Sequence, residues 1–331
     1  MNQEHPSSSH WTIVLAGGEG TRMQPLVQRW LGCHRPKQYC TFVGSRSMFQ
    51  HTVDRAAMVT DPGRIVAVVG REHRREILTQ LQGRTVGQVI YQPRNCETAA
   101  GVFLPLTYIH AQAPQATVII FPSDHFVHPE HRFLKTVRRT AEVAQWLPDR
   151  LVLLGVRPER LEMEYGWILP GEPLSSSGEE PVRGVDSFME KPSPAQADEA
   201  LRHGALWNTF VFAARAELLW QLGTRCFPDL MLRFEQLRRA IGQPEETDVL
   251  EAIYEDMPAY NLSTDLFQQA SDSTVVIELQ DVLWCDWGTP VRVAETLRRI
   301  GLTPAFPLEC LDRPFAAGPL VGASPEPTVQ P

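Results

Sequence analysis

The sequence predicts an α/β fold: a mostly parallel mixed sheet flanked by helices, with a small antiparallel addition. Three observations carry that reading. Short apolar runs, TIVLA from Thr12, RIVAVVG from Arg64, QVIYQ from Gln88, TVIIF from Thr117 and RLVLLGV from Arg150, alternate with segments of helical periodicity. Runs that lack polar alternation belong to strands covered on both faces, as in parallel sheets. Beyond Val156 the pattern changes to YGWILPG and VRGVDSFMEKP, two strand-like runs joined by a polar SSSGEE loop over 175–180, which predicts an antiparallel pair.

Taken in order, residues 1–10 are polar and serine-rich and are expected to be a flexible lead. The first strand starts at Thr12 and runs into a glycine-bearing turn and a basic loop. Phe49, Val53, Ala56 and Ala57 recur at helical spacing, as do Ile77, Leu78 and Leu81 after the second strand. Helices are expected over 97–113, 129–146 and 194–203, a strand over 206–212, and a helical region over 215–255. The strand TVVIEL (274–279), the segment VLWCDWGTP (282–290) and a helix to about residue 300 close a single domain spanning 11–300. Residues 301–331 are rich in proline and glycine and read as a tail.

The bulk properties exclude several classes. A chain of 331 residues with 43% hydrophobic content can bury a sizeable core. Its net charge of −8 argues against a nucleic-acid binder, so any anionic ligand must be held by local positive charge. The six cysteines form no CxxC pair, which points to neither a zinc ribbon nor a disulfide framework. The sequence has neither a signal-like N-terminus nor an apolar run long enough to span a membrane, so a cytoplasmic location and no membrane partner are expected.

The chemistry starts in the first turn. Ala16, Gly17, Gly18, Gly20 and Thr21 lead into Arg22, with Arg35 and Lys37 farther on. Glycines let several backbone N–H groups converge on one anion, and the cations neutralise the rest. The dinucleotide fingerprint fails for want of its third glycine, and no GK[ST] follows as a P-loop needs. An ordinary strand-to-loop corner is the alternative. The segments 92–98 and 123–125 also follow strand ends, so three candidate site loops fall on one edge of the sheet. Asp124 and Asp286 each adjoin hydrophobic sequence, where a carboxylate wants a cation or metal; each alone also reads as a cap or turn residue. Glu162 and Glu164 read as solvated loop acids, and Cys285 as a buried small side chain. His125, His128 and His131 recur every third residue, but Pro129 interrupts them and the spacing fits no usual structural zinc site.

LAGGEGTRMQPL, RPKQY, PSDHF, EYGWI, FMEKP, WNTFVF and CDWGTP stand in the order found in sugar-1-phosphate nucleotidyltransferases, and the chain most resembles mannose-1-phosphate guanylyltransferases. The resemblance runs from about residue 13 to 300. PKQ is similar to the guanylyltransferase form of the lysine motif. Three motifs depart from the usual pattern: RNCETAAG stands where RNTAP is common, WNTFVF lacks the glycine of WNSGMF, and Gln24 replaces the tryptophan common after the loop arginine.

The resemblance implies a Rossmann-like nucleotidyltransferase fold, GTP and mannose 1-phosphate as substrates, Mg2+ as cofactor and a homodimer. The alternatives are a nucleotidyltransferase using another nucleoside triphosphate or hexose 1-phosphate, and a non-catalytic regulatory subunit that binds nucleotide sugar. The last is opposed by the presence of Arg22, Lys37, Asp124 and Asp286 together. The resemblance implies catalytic roles for these four residues, with the two aspartates as metal ligands. Nucleotide contacts fall to Ala16, Gly17, Gly18, Gly20, Thr21, Gln92, Asn95 and Thr98. Sugar-phosphate contacts fall to Gly166, Glu190, Lys191 and Asn208; without the resemblance, Glu190 and Lys191 read as a solvated pair at a strand end. No segment like an appended cupin or left-handed β-helix follows Ile300, so no added isomerase or acetyltransferase activity is expected.

Overall fold

A computed structural model describes residues 10–175 and 181–311. The expectations for most of the N-terminal lead, the SSSGEE loop beyond Ser175 and most of the tail fall on 1–9, 176–180 and 312–331, outside the described residues.

The N-terminal half alternates strand and helix: β1 (Trp11–Ala16), α1 (Gln24–Leu31), α2 (Met48–Ala57), β2 (Ile65–Gly70), α3 (Arg74–Gln80), β3 (Gln88–Gln92), α4 (Glu97–Gln112), β4 (Thr117–Pro122), β5 (Phe126–His128), α5 (Glu130–Trp146) and β6 (Leu151–Val156). Then follow β7 (Gly166–Ser175), β8 (Val182–Glu190), α6 (Pro194–Arg202), β9 (Leu206–Arg215), α7 (Ala216–Cys226), α8 (Pro228–Ala240), α9 (Glu246–Glu255), β10 (Thr274–Glu278), β11 (Leu283–Cys285) and α10 (Pro290–Arg299). The local reasons are ordinary ones. Ser47 with Gln50 and Ser193 with Gln196 form capping boxes at the starts of α2 and α6. The stretch expected as a basic loop holds α1, which starts with Pro25 in its first turn and stops at Gly32 in the left-handed region.

Nine strands form one sheet in the order β3-β2-β1-β4-β9-β6-β10-β8-β7. The neighbours β3, β2, β1 and β4 pair in parallel, so their carboxyl ends share one edge. β9 enters antiparallel between β4 and β6, and β7 and β8 pair antiparallel at the far side, so the antiparallel part extends beyond the one hairpin the sequence suggests. β2, β4 and β6 are buried at every residue because helices cover both faces. One apolar cluster packs the sheet against α4, α7, α8 and α9, and another packs it against α2, α3, α5 and α6. A third, smaller cluster joins Leu26 and Val27 of α1 to Val293 and Leu297 of α10 around Phe42 and Trp287.

A short ribbon completes the site. β5 pairs antiparallel with β11, Phe126 opposite Cys285. Carrying that register one residue further brings Asp286 beside His125 and so next to Asp124. Two carboxylates 162 positions apart are thereby brought to one place, at the edge where the parallel strands end.

Candidate active site

A cavity of about 300 Å3 opens at that edge. Its walls include Ala16, Gly17, Gly18 and Gly20 after β1, Thr98 at the start of α4, and Asp124 after β4. Gly166, Glu190, Asn208 and Asp286 complete it from the later part of the chain. Ten of the residues that the resemblance assigns to the site therefore share one cavity. Arg22 and Lys37 bind its carboxylates from the side and from behind, whereas Thr21, Gln92, Asn95 and Lys191 lie outside its lining.

Lys37 is the pivot of the charged end. It is 4% exposed, and its ammonium lies 2.8 Å from an Asp124 carboxylate oxygen while donating to the Asp286 carbonyl at 2.5 Å. Gly20, at φ 60°, makes room for it: a Cβ there would stand 2.9 Å from Lys37 Cβ. Asp286 is buried and saturated. Its Oδ1 accepts from Tyr165 Oη at 2.7 Å, Arg292 at 3.0 Å and the Gly288 amide at 3.0 Å; Oδ2 meets Arg292 at 3.2 Å and Arg22 at 3.5 Å. Burial alone would raise its pKa, but Lys37, Arg292 and the Tyr165 hydroxyl outweigh burial and hold it at about 2. Asp124 follows the same balance: burial works to raise it, and Lys37 with His125 brings it below the usual value. His125 is lowered, chiefly by burial, which favours its neutral form beside the carboxylates.

The glycine loop is braced rather than loose. Gln38 Nε2 donates to the Ala16 and Gly18 carbonyls, and the Tyr39 hydroxyl donates to the Ala16 carbonyl. The Ala16 and Gly18 carbonyls are thus tied back, which suits a loop that turns amides toward an anion. Gln92 is buried at the end of β3, with its Nε2 unpartnered and its Oε1 placed so that a Cβ on Gly17 would stand 3.2 Å from it. Asn95 accepts from the Glu97 amide, and Thr98 Oγ1 accepts from the Leu262 amide, fastening the 260–263 segment to α4.

At the other end Gly166 pairs with Glu190 across β7 and β8, and Asn208 pairs with Gly155 across β9 and β6. Burial raises the Glu190 pKa, against the pull of Lys191. Five non-glycine residues have positive φ among the described residues, and four adjoin this site: Glu97, Lys191, Phe210 and Trp287. Each such conformation costs about 1–3 kcal/mol and tends to collect at functional sites.

Residues 11–300 match a family model described as nucleotidyl transferase. The chain belongs to the nucleotidyl transferase family. It is 32% identical over 207 residues to the xanthan biosynthesis protein XanB of Xanthomonas campestris pv. campestris (strain B100), covering 62% of this chain and 42% of that protein. It is 24% identical over 282 residues to a mannose-1-phosphate guanylyltransferase of Escherichia coli, covering 83% of this chain and 59% of that one. The chain thus spans about half the length of the curated relatives it matches. A solved structure from Thermus thermophilus, described as a mannose-1-phosphate geranyltransferase, superposes with a TM-score of 0.71 at 25% identity, over 85% of this chain and 76% of that one. Members of the family act on nucleoside triphosphates and sugar 1-phosphates and generally use a divalent metal.

For a nucleotidyl transferase the donor set fits a hard divalent ion. Both candidate ligands are carboxylates on one cavity, and oxygen is what such ions take. Asp124 is the more open of the two, with its side chain 39% exposed and Oδ1 3.6 Å from His125 Nε2. Asp286 is held in place by Tyr165, Arg292 and Gly288, and since both its oxygens carry donors, an ion there would take the place of the 3.5 Å Arg22 contact on Oδ2.

Sequence reading missed part of this nucleotidyl transferase site. Glu162, read as a solvated loop acid, is buried and forms an ion pair with Arg292, since Arg292 needs a second carboxylate beside Asp286. Glu164 is exposed and meets Arg22 at 3.3 Å. A signal for Arg292 existed: a cation at the third position of α10 opposes the helix dipole, so it needs acidic partners. Tyr165 gave a weaker one, because a tyrosine in an apolar run needs a partner for its hydroxyl. Gln38 gave none, since its work is done on backbone carbonyls. Cys285 is buried as expected, with its thiol pKa raised by burial.

Proposed function

We propose that the chain is a mannose-1-phosphate guanylyltransferase, converting GTP and mannose 1-phosphate to GDP-mannose and pyrophosphate. The observation that carries this reading is Lys37, a buried cation that joins Asp124 to the Asp286 backbone directly under the glycine loop. That arrangement suits a site where phosphates of two substrates meet. An oxygen of the sugar phosphate attacks the α-phosphorus of GTP in line; the bond to the β-phosphate breaks and pyrophosphate departs. Catalysis by positioning and charge stabilisation suffices, with no protein nucleophile. Lys37 draws the phosphates together, Arg22 stabilises the triphosphate and the departing pyrophosphate, and amides of the Gly17–Gly20 turn contact the nucleotide.

Asp124 and Asp286 would hold Mg2+, which supplies charge neutralisation and alignment of the phosphates when bound. Thr21, Gln92, Asn95 and Thr98 serve the nucleotide, and Gly166, Glu190, Lys191 and Asn208 serve the sugar phosphate. The catalytic unit spans 11–300, acts in the cytoplasm and forms a homodimer. No helix among the described residues is long and apolar enough to cross a membrane. A second reading, another nucleoside triphosphate or hexose, is favoured by RNCETAAG and by the left-handed backbone at Glu97 inside it.

A pyrophosphate-release panel tests both, pairing each nucleoside triphosphate with mannose, glucose and other hexose 1-phosphates in Mg2+. The highest kcat/KM is expected for GTP with mannose 1-phosphate. A different best pair would establish the second reading, and absence of turnover with every pair would refute nucleotidyl transfer by this chain.

A further inference from the structure

Phe210 stands in β9 at the position where WNSGMF has glycine, and its backbone has φ 57°. A bulky residue in the left-handed region is a genuine outlier, which points to a function at that position. The surrounding strand is shaped to present it. Between the pairs Leu153 with Phe212 and Gly155 with Asn208, β9 has three residues opposite Leu154 alone. Such bulges re-aim a side chain beside active sites. Local hydrogen bonds fix this one: Thr209 Oγ1 donates to the Leu154 carbonyl and accepts from the Val211 amide, and the Phe210 amide donates to Asn208 Oδ1.

The residue so displaced is a wall of the catalytic cavity, on the same surface as Glu190, Asn208 and Ser263. Its ring is propped from behind by Phe212 at 6.0 Å and Phe267 at 5.8 Å between centroids. Phe267 ends the π-helical turn Ser263–Phe267, whose first residue also lines the cavity. A glycine would need none of this support and would leave the end of the cavity wider.

We propose that Phe210 is a specificity-determining residue: its ring narrows the sugar end so that unsubstituted hexose 1-phosphates are accepted and those carrying an acetamido group are excluded. This rests on the proposed guanylyltransferase reading. The tight, ring-bounded wall beside a hydrogen-bonding carboxylate and amide suits a ligand with a flat C–H face and hydroxyl edges, and penalises added bulk.

The test is the ratio of kcat/KM for N-acetylmannosamine 1-phosphate to that for mannose 1-phosphate, two sugars that differ only in the acetamido group, with GTP, in the wild type, Phe210→Gly, Phe210→Ala and Phe210→Leu. The ratio should rise at least about 10-fold in Phe210→Gly, with Phe210→Leu remaining near the wild type. Phe210→Ala serves if Phe210→Gly does not fold, and GTP binding followed by tryptophan fluorescence verifies an intact nucleotide end. An unchanged ratio in an active, folded variant, or a wild type that already takes both sugars equally, would overturn the inference alone. A wild type inactive on every nucleotide and sugar pair would overturn the proposed function and this inference with it.

Discussion

The two halves of the sheet build the two ends of one cavity by different means. In the parallel half, β1 and β4 finish together, and the loops that follow them offer backbone and short acidic side chains to the ligand. In the antiparallel half, Asn208 and Phe210 come from within a strand, and Glu190 and Gly166 from paired strand ends. The first end is saturated with charge partners: Lys37, Arg292 and Tyr165 pin the aspartates. The second is under-compensated: Glu190 is raised by burial, with no cation among the described residues pinning it as Lys37 and Arg292 pin the aspartates, and Phe210 is presented from a bulge in β9. The difference separates a rigid electrostatic end, suited to chemistry common to many substrates, from a shaped end suited to choosing among them.

The largest effects should come from breaking the charged end. Asp124→Ala, Asp286→Ala and Lys37→Ala should each lower kcat by about 10²-fold or more, the scale of losing one preorganised electrostatic group. Lys37→Ala should also lower stability by about 2–3 kcal/mol, less than the full cost of breaking a buried pair because Asp124 keeps access to solvent. Steady-state turnover with thermal unfolding separates the two effects. Near-normal kcat in folded variants would mean that the charged end only binds.

Arg292 tests whether the rigidity matters beyond charge. It bridges Asp286 and Glu162, and its guanidinium pKa is raised: burial lowers it, but Asp286, Tyr165 and Glu162 more than offset that. Arg292→Ala should cost about 3 kcal/mol in stability, since two buried carboxylates lose their shared partner. Arg292→Lys should recover only part of this, because the guanidinium meets Asp286 through Nη1 and Glu162 through Nη2, and an ammonium has a single nitrogen to serve both. Full recovery in denaturant unfolding would reduce the bridge to simple charge balance.

The same division explains what could be read in the sequence. The parallel half was legible because apolar strands and helical periodicity are local signals, and its site residues follow directly on strand ends. LAGGEGTR and PSD announced themselves within a few positions. α1 was hidden by the basic residues around it, although its proline and glycine marked both ends. The bracing of Asp286 was only faintly legible: Tyr165 and Arg292 each needed some polar partner, but that the partner is Asp286 follows from the β5–β11 ribbon and the packing of α10, and Glu162 joins through Arg292. Glu162 looked solvated because its partner lies 130 positions away.

The sugar end should respond to pH in a way the charged end does not. Glu190 has a raised pKa, first through burial, and must be ionised to accept hydrogen bonds from sugar hydroxyls. The KM for the sugar 1-phosphate should therefore climb as pH falls through a value above the ordinary glutamate pKa of about 4.3. Glu190→Gln should flatten that limb and raise KM at neutral pH by about 10-fold, with kcat less affected. Linkage fixes the sign for folding: the folded state holds this proton more tightly than the unfolded state, so its contribution to stability declines as pH rises from the ordinary value through the raised one. A wild-type KM that stays flat through this range would remove Glu190 from sugar recognition.

Tyr165 gives the smallest effect and bears most directly on how the halves are joined. It immediately precedes β7; its carbonyl accepts from the Lys191 amide, while its hydroxyl donates to Asp286. One residue thus ties the backbone beside Glu190 to a carboxylate of the charged end. Tyr165→Phe keeps the ring, packed against Trp207 and Trp284, and the carbonyl contact, but deletes the bond to Asp286 Oδ1. Arg292 and the Gly288 amide still satisfy that oxygen, so stability should fall by only about 1 kcal/mol and kcat by less than about 5-fold. If the ends act independently, Tyr165→Phe and Glu190→Gln should add in ΔΔG‡ within about 0.5 kcal/mol in a double-mutant cycle. A larger coupling would mean that Asp286 reports sugar occupancy through this tyrosine, and the two ends would then function as one unit.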